Sequence, residues 1–144
     1  MERVVTTLTE LEEEARRLIG PLVPQKQGAT LVTLSGELGA GKTAFTKAVA
    51  KVLGIDEVVT SPTFVLEKIY PLHKQSFKRL VHIDVYRLEK GSELTPLGFD
   101  ELMKDSGNLV MLEWPEKVED ALPVSAMKIS LTARPDGVHT ISYG

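Results

Sequence analysis

The stretch Gly36-Glu37-Leu38-Gly39-Ala40-Gly41-Lys42-Thr43 fits the pattern G-x-x-x-x-G-K-[ST] at every fixed position. In this pattern a glycine-rich loop turns its backbone N–H groups inward and leads into a helix N-terminus, whose positive dipole end favours an anion. The lysine contacts the β- and γ-phosphates of a nucleotide, and the Ser or Thr hydroxyl ligates Mg²⁺. These eight residues therefore predict a nucleoside triphosphate site, with Lys42 and Thr43 in those two roles.

The residues on either side of this loop support the prediction. Residues 29–34 form a short apolar run rich in β-branched side chains, as expected of a buried parallel strand. Beyond the loop, apolar side chains recur with the helical spacing i, i+3, i+4 and i+7, at Phe45, Ala48, Val49 and Val52. Gly54 supplies a helix stop. Strand, loop and helix thus follow one another in the order that a phosphate-binding loop requires.

Length and composition favour a single domain over residues 1–144, because 144 residues with 42% hydrophobic content can build one core. The chain has no cysteine, which excludes disulfides, thiolate zinc sites and cysteine nucleophiles. It has no apolar run near the ~18 residues of a membrane span and no signal-peptide pattern, so we expect a cytoplasmic protein. The formal charge of −3 argues against a large basic surface for gripping nucleic acid.

Short alternating elements predict an α/β sheet with helices on both faces and antiparallel hairpin strands. Thr9 and Glu12 match a capping box, which predicts a first helix that ends near residues 20–24. Strands are expected at residues 63–70, 80–85, 109–112, 127–133 and 138–143, with hairpin turns at residues 71–78 and 135–137. Helical segments are expected at residues 94–103, where Pro96 and Gly98 interrupt the pattern, and at residues 115–122.

Two apolar strands end in an acid, at Asp84 and at Glu113. If both strands run parallel to the strand before the loop, both carboxylates project toward the phosphates, because ligands of open α/β sheets bind beyond the carboxyl ends of the strands. Asp84 is then the expected Mg²⁺ partner, directly or through water, and Glu113 a second metal contact or the base that activates water. Acids also end strands as turn formers, but two of them in a chain with a phosphate loop favour the functional interpretation.

Other candidates are less specific. Thr63, within Ser61-Pro62-Thr63, either adds a hydroxyl to the metal or belongs to a turn before a strand. Trp114, the only tryptophan, either reports on the nucleotide or packs in the core. The histidines, His73, His82 and His139, show no metal-ligand spacing and are predicted to be surface or strand residues.

Taken in order and spacing, the segments GELGAGKT, SPTF, HIDVYRL and LEWPEK closely resemble the bacterial TsaE family. The resemblance spans about residues 9–133, and of the four segments only the phosphate loop is common outside that family. It implies a small Mg²⁺-dependent ATPase with a P-loop fold that supports threonylcarbamoylation of adenosine 37 in tRNAs reading codons that begin with A. It also implies action with TsaB and TsaD, where TsaD transfers the threonylcarbamoyl group and ATP hydrolysis resets the complex, and contact with tRNA only through that complex.

The resemblance also assigns roles residue by residue. The family's loop residues fall on positions 36–43, its strand-end aspartate on Asp84, its metal-linked glutamate on Glu113 and its switch-like threonine on Thr63. The neighbouring tryptophan falls on Trp114. Two further nucleotide contacts are carried over at Thr9 and Arg134, where no sharp motif marks the position.

Three rival functions follow from the same loop. A GTPase normally reads guanine through N-K-x-D, and the only asparagine, Asn108, is followed by Leu109. A small-molecule kinase needs a second substrate pocket and usually several lid arginines, whereas this chain has six arginines, two of them on the first helix. The third rival, a module that binds nucleotide to assemble a complex without turnover, stays open.

Overall fold

The structure, a computed structural model, describes residues 2–37, 39–55, 67–123 and 127–143. The strands are β1 (Glu2–Val5), β2 (Thr30–Ser35), β3 (Glu67–Pro71), β4 (Arg79–Asp84), β5 (Asn108–Glu113), β6 (Met127–Ala133) and β7 (His139–Tyr143). The α-helices are α1 (Leu8–Ile19), α2 (Lys42–Val52) and α3 (Phe99–Met103), and 3-10 helices cover Gly91–Leu97, Pro115–Lys117 and Glu119–Ala121. None of the helices in these residues is long and apolar enough to cross a lipid bilayer.

The seven strands of the described residues form one mixed sheet in the order β1-β7-β6-β2-β5-β4-β3. Strand β2, which leads into the phosphate loop, lies between β5 and β6 and is parallel to both. Strand β4 is parallel to β5, while β3, β7 and β1 pair with their neighbours antiparallel. This topology confirms the predicted α/β fold with hairpin strands, and it brings the carboxyl ends of β2, β4 and β5 to one edge of the sheet.

A hydrophobic core lies on each face of the sheet. Alternate residues of β2 point to opposite faces, so that Val32 and Leu34 join the first core while Leu31 joins the second. The first core is covered by α1 and α2, whose buried residues include Ile19 and Phe45. The second core is covered by α3, by the 3-10 helix over Gly91–Leu97 and by Val118. Helix α2 therefore packs on the face of the sheet to which the side chains of Asp84 and Glu113 point.

The start of α1 differs from the prediction. Thr7, not Thr9, caps the helix: its Oγ1 accepts the N–H of Glu10 at 3.1 Å, and its backbone is extended. The sequence Thr7-Leu8-Thr9-Glu10 also matches the capping-box spacing, so the chain offers two possible helix starts. The structure uses the earlier one. Thr9 consequently lies in the first turn, with an exposed side chain.

Three other segments depart from the predicted elements. Strand β1 was not predicted, because four residues with one buried side chain, Val5, carry too little alternation to be recognised. Residues 115–122 form two short 3-10 helices that meet at Val118 instead of one helix. Residues 63–66 of the strand predicted over residues 63–70 lie outside the described residues, and β3 begins at Glu67.

Candidate nucleotide-binding site

The phosphate loop joins β2 to α2 by a backbone path that two of its glycines make possible. Gly36 has φ of 149°, and a Cβ there would lie 2.4 Å from the carbonyl oxygen of Leu131. Gly41 precedes α2 with φ of 103°, in the left-handed region. Helix α2 therefore starts at Lys42, with the unpaired N–H groups of its first turn at the end of the loop.

Lys42 lies inside the loop, with only 5% of its surface exposed. Its Nζ donates to the carbonyl oxygens of Gly36 and, at 2.9 Å, Glu37. The same Nζ lies 4.0 Å from the centre of the Trp114 ring, a distance typical of a cation–π contact. Burial lowers the pKa of Lys42, and the nearby Glu113 carboxylate opposes that change. The predicted phosphate-binding cation is thus held by the loop on one side and an indole on the other.

Asp84 and Glu113 end neighbouring parallel strands and lie opposite each other in the β4–β5 register. Both are buried, with 8% and 2% of their surfaces exposed. Burial raises the pKa of Asp84, and a hydrogen bond from the backbone N–H of Tyr86 to Oδ1, at 2.9 Å, opposes that change. The structure confirms the parallel strands on which the prediction of two converging carboxylates depended.

Glu113 contacts two side chains. The Oγ1 of Thr43, in the first turn of α2, lies 3.4 Å from Oε1 and 3.5 Å from Oε2. On the other side, Nε2 of the fully buried His82 lies 2.5 Å from Oε2. In the part of the chain that the structure describes, no group of three or more His, Asp or Glu side chains is arranged to hold a metal ion. An Mg²⁺ ion here would therefore need further ligands from the phosphate groups of a bound nucleotide and from water, which is how Mg²⁺ is commonly bound.

His139, from β7, contacts the loop from the opposite side. Its Nδ1 lies 3.1 Å from the carbonyl oxygen of Ala40. In a trans peptide the carbonyl and the following N–H point in opposite directions, so holding the Ala40 carbonyl fixes the direction of the Gly41 N–H. His139 therefore helps to orient one of the amides that the loop offers to an anion.

A mainly apolar cavity of about 270 Å³ lies beside the loop. It is bounded by the start of α1, the loop, the start of α2 and the β6–β7 hairpin. Its apolar lining residues are Val5, Leu8, Leu11, Ala40, Ala44 and Leu131. The hydroxyls of Thr6 and Thr7, which also line it, both lie within hydrogen-bond distance of Glu10 Oε1. Such walls suit a flat, largely apolar ring system.

Most of the predicted site residues come together in this region. One end of β2 is surrounded by the described residues of the loop, which include Lys42 and Thr43, and by Asp84, Glu113 and Trp114. Thr9 does not line the cavity, although its neighbours Thr6 and Thr7 do. Arg134 lies in the turn between β6 and β7, where its guanidinium pairs with Asp136 at 3.0 Å. Leu38 and Thr63 lie outside the described residues, so their predicted roles stay predictions.

Two residues of the site were not predicted from the sequence, His82 and His139. His82 precedes Asp84 by two positions on β4, and this spacing places both side chains on one face of the sheet. That spacing was a usable signal. His139 lies 99 positions from Ala40 and follows no motif, so only the pairing of β6 with β7 brings it to the loop.

The strand, loop and helix, with two strand-end carboxylates on parallel strands, define a P-loop fold. A family model described as "Threonylcarbamoyl adenosine biosynthesis protein TsaE" matches residues 6–140. The chain therefore belongs to the TsaE family and takes part in tRNA threonylcarbamoyladenosine biosynthesis.

Curated relatives and a solved structure agree with this assignment. The TsaE protein of Bacillus subtilis is 40% identical over 113 residues, which cover 78% of this chain and 68% of that protein. The TsaE protein of Streptomyces coelicolor is 42% identical over 112 residues, 76% of this chain and 71% of that protein. The crystal structure of Bacillus subtilis YdiB superimposes with a TM-score of 0.76 and 28% identity, covering 99% of this chain and 83% of that one.

Proposed function

We propose that this TsaE-family protein is a cytoplasmic Mg²⁺-dependent ATPase. In this proposal it supports threonylcarbamoylation of adenosine 37 in tRNAs that read codons beginning with A, acts with TsaB and TsaD, and meets tRNA only through that complex. The carrying observation is the convergence of Lys42, Thr43, Asp84 and Glu113 at the end of one phosphate loop. The formal charge of −3 supports the last part, since a tRNA-gripping surface is normally basic.

The residues at this edge fit the two groups that the proposal requires. Mg²⁺ prefers oxygen ligands, and the hydroxyl of Thr43 and the carboxylates of Glu113 and Asp84 supply only oxygens. Thr43 and Glu113, 3.4 Å apart at their nearest oxygens, would hold the ion, and Asp84 would contact it through water. When bound, Mg²⁺ would neutralise charge on the phosphates of ATP. Lys42 would exchange the carbonyl oxygens of Gly36 and Glu37 for phosphate oxygens.

The cavity beside the loop supports adenine as the base. It is large enough for a flat heterocycle at about 270 Å³ and mainly apolar. Asn108 cannot serve as the guanine-binding asparagine of a GTPase, because only 2% of its surface is exposed and its side chain is hydrogen-bonded within the fold. Its Oδ1 accepts from Nε of Arg79 at 2.7 Å, and its Nδ2 donates to the carbonyl oxygen of Leu102 at 2.9 Å. We therefore favour ATP over GTP.

Glu113→Ala tests the proposed hydrolysis. We expect the variant to keep its affinity for nucleotide, since the loop and Lys42 remain. Its rate of phosphate release should fall by about 100-fold or more. Nucleotide affinity is measured by calorimetry and phosphate release at steady state, alone and with TsaB and TsaD. Glu119→Ala, an exposed acid on the following 3-10 helix, is the matched control, and Lys42→Ala should lose nucleotide affinity itself. Hydrolysis by Glu113→Ala at the wild-type rate would remove Glu113 from the mechanism.

Reconstituted threonylcarbamoyl transfer separates turnover from simple assembly. With TsaB, TsaD and tRNA, the wild-type protein should sustain many rounds of transfer, and Glu113→Ala should stop after about one round. A variant that binds ATP without hydrolysing it, yet sustains transfer, would favour the alternative function of a nucleotide-dependent assembly module.

A further inference from the structure

His82 is a polar side chain in the interior of the sheet. It lies on β4 between Val81 and Ile83, and none of its surface is exposed. Its side chain points to the face covered by α2, as do those of Asp84 and Glu113 on the paired ends of β4 and β5. A buried imidazole is unfavourable unless it is hydrogen-bonded, so its partner indicates why it is there.

The partner is Glu113. His82 Nε2 lies 2.5 Å from Glu113 Oε2, and Thr43 Oγ1 lies 3.4 Å from Oε1. The carboxylate of Glu113 is thus held between a strand residue beneath it and a hydroxyl at the start of α2. With 2% of its surface exposed, Glu113 has little water to take the place of either contact.

The other ring nitrogen defines the direction of this hydrogen bond. Among the described residues, His82 Nδ1 is buried and has no hydrogen-bond partner. A neutral imidazole with its proton on Nε2 donates to Glu113 and leaves Nδ1 as a bare acceptor. The reverse tautomer would instead point a lone pair at the carboxylate and bury an unpaired N–H. In the described residues, the only hydrogen bond of the His82 side chain is therefore the one it donates to Glu113.

We propose that His82 is a positioning residue, which fixes the orientation of the Glu113 carboxylate toward Thr43 and the phosphate site. The proposal rests on the proposed function, since Glu113 is the group through which His82 acts. His82 itself is fully buried behind Glu113 and does not line the cavity beside the loop. Residues that orient a metal-binding carboxylate usually change activity by about 10- to 100-fold when they are replaced.

A matched pair of variants tests the hydrogen bond apart from packing. His82→Gln keeps an N–H donor near the Nε2 position, whereas His82→Met has a similar length and no donor. We expect His82→Met to lower kcat by about 10- to 100-fold with little change in the affinity for Mg²⁺-free ATP. His82→Gln should recover most of that loss. His73→Met, at an exposed histidine, controls for the general effect of the substitution.

Two further measurements distinguish positioning from a structural role. In a Glu113→Gln background, His82→Met should lower kcat no further, because residues that act through one another are not additive. In protein labelled with ¹⁵N-histidine, the His82 signals, assigned by their loss in His82→Gln, should show the Nε2–H tautomer and shift in Glu113→Gln. This second measurement needs neither nucleotide nor turnover.

The inference is overturned if the His82 nitrogen shifts are the same in wild type and Glu113→Gln, or if His82→Met and His82→Gln lower kcat equally. An additional loss of kcat from His82→Met in the Glu113→Gln background would also contradict it. If the wild-type protein releases no phosphate even with TsaB and TsaD, the proposed function fails, while the nitrogen shifts still decide whether His82 holds Glu113.

Discussion

Trp114 has a left-handed backbone, with φ of 67°, although it carries a large side chain. Non-glycine residues in that region carry strain of about 1–2 kcal/mol, so the surrounding structure must hold it there. Its backbone N–H donates to the carbonyl oxygen of Leu34 at 3.1 Å, and the centre of its ring lies 5.0 Å from the centre of the Tyr86 ring. The strained turn brings the indole from the end of β5 over the Nζ of Lys42.

We predict that Trp114 fluorescence responds to ATP with Mg²⁺. If Lys42 moves from the indole to a phosphate, the charge 4.0 Å from the ring centre changes place and the emission changes with it. Emission from the only tryptophan of the chain is titrated with nucleotide. Lys42→Met should abolish the response, and Lys117→Met, whose lysine lies over Tyr86 instead, should keep it. A folded wild-type sample whose emission does not change would support a packing role alone.

At the residue scale, sequence reasoning found the groups that a motif or a strand end marks and missed those that the strand register brings in. Asp84 and Glu113 were predictable because each follows an apolar strand. The pairing of His82 with Glu113 was not, because it depends on the β4–β5 register, which aligns residues 29 positions apart at their ends. A pattern along one strand carries no information about which strand lies beside it.

At the scale of elements, the segments that follow the two carboxylates are packed together. Gly91 begins the 3-10 helix after β4, and its N–H donates to Asp120 Oδ1 at 2.9 Å. A Cβ on Gly91 would lie 2.3 Å from that of Ala121, so only glycine allows this approach. The segments after Asp84 and Glu113 therefore support each other beyond the site.

Glu93 makes the stability of the folded protein depend on pH. Its Oε2 accepts the backbone N–H of Glu89 at 2.6 Å and of Lys90 at 3.1 Å, and these hydrogen bonds lower its pKa. Below the ordinary pKa of a glutamate, the unfolded chain binds more protons here than the folded chain. The contribution of Glu93 to stability is therefore complete above that ordinary value and is lost as the pH falls through the folded value.

We predict that Glu93→Gln lowers the urea midpoint at about pH 7 and that this difference shrinks on acidification. Urea unfolding at several pH values measures it. Glu13→Gln, at an exposed position of α1, should show no such trend. A midpoint difference that stays constant into acid would contradict the assigned role of the Glu93 carboxylate.

The elements themselves were predictable to different degrees. Strands β2, β4 and β5 have long apolar runs and agree with prediction to within two residues at each end. The first helix was also predicted, although its cap moved from Thr9 to Thr7, because two threonines offered the same spacing. The single helix predicted over residues 115–122 was wrong, since Pro115 starts a turn that ends at Val118 and only a second short turn follows.

At the scale of the whole molecule, the site draws on distant parts of the chain. Its walls come from the start of α1, from β2, β4 and β5, and from the β6–β7 hairpin. The sequence predicted alternating strands and helices, which define the fold class. It did not predict that β2 lies between β5 and β6, because strand order depends on which faces bury one another.

A ligand held by so many elements should stabilise the whole fold. We predict that ATP with Mg²⁺ at about 100 times its Kd raises the free energy of unfolding by about 2.7 kcal/mol. For a chain of this size that corresponds to a rise in Tm of roughly 5–10 °C, measured by scanning calorimetry. Lys42→Ala should show little rise at the same concentration. An equal rise in that variant would place the nucleotide elsewhere.

The pairing of β1 with β7 joins Glu2 to Ser142 and Val5 to His139. Pairings between residues so far apart in the chain form slowly, because the cost of closing the intervening loop precedes any gain from the contact. The wall formed by Val5 and the hydrogen bond from His139 to the loop both depend on this pairing. In newly made protein the nucleotide site is therefore complete only after β7 has been synthesised and has joined the sheet.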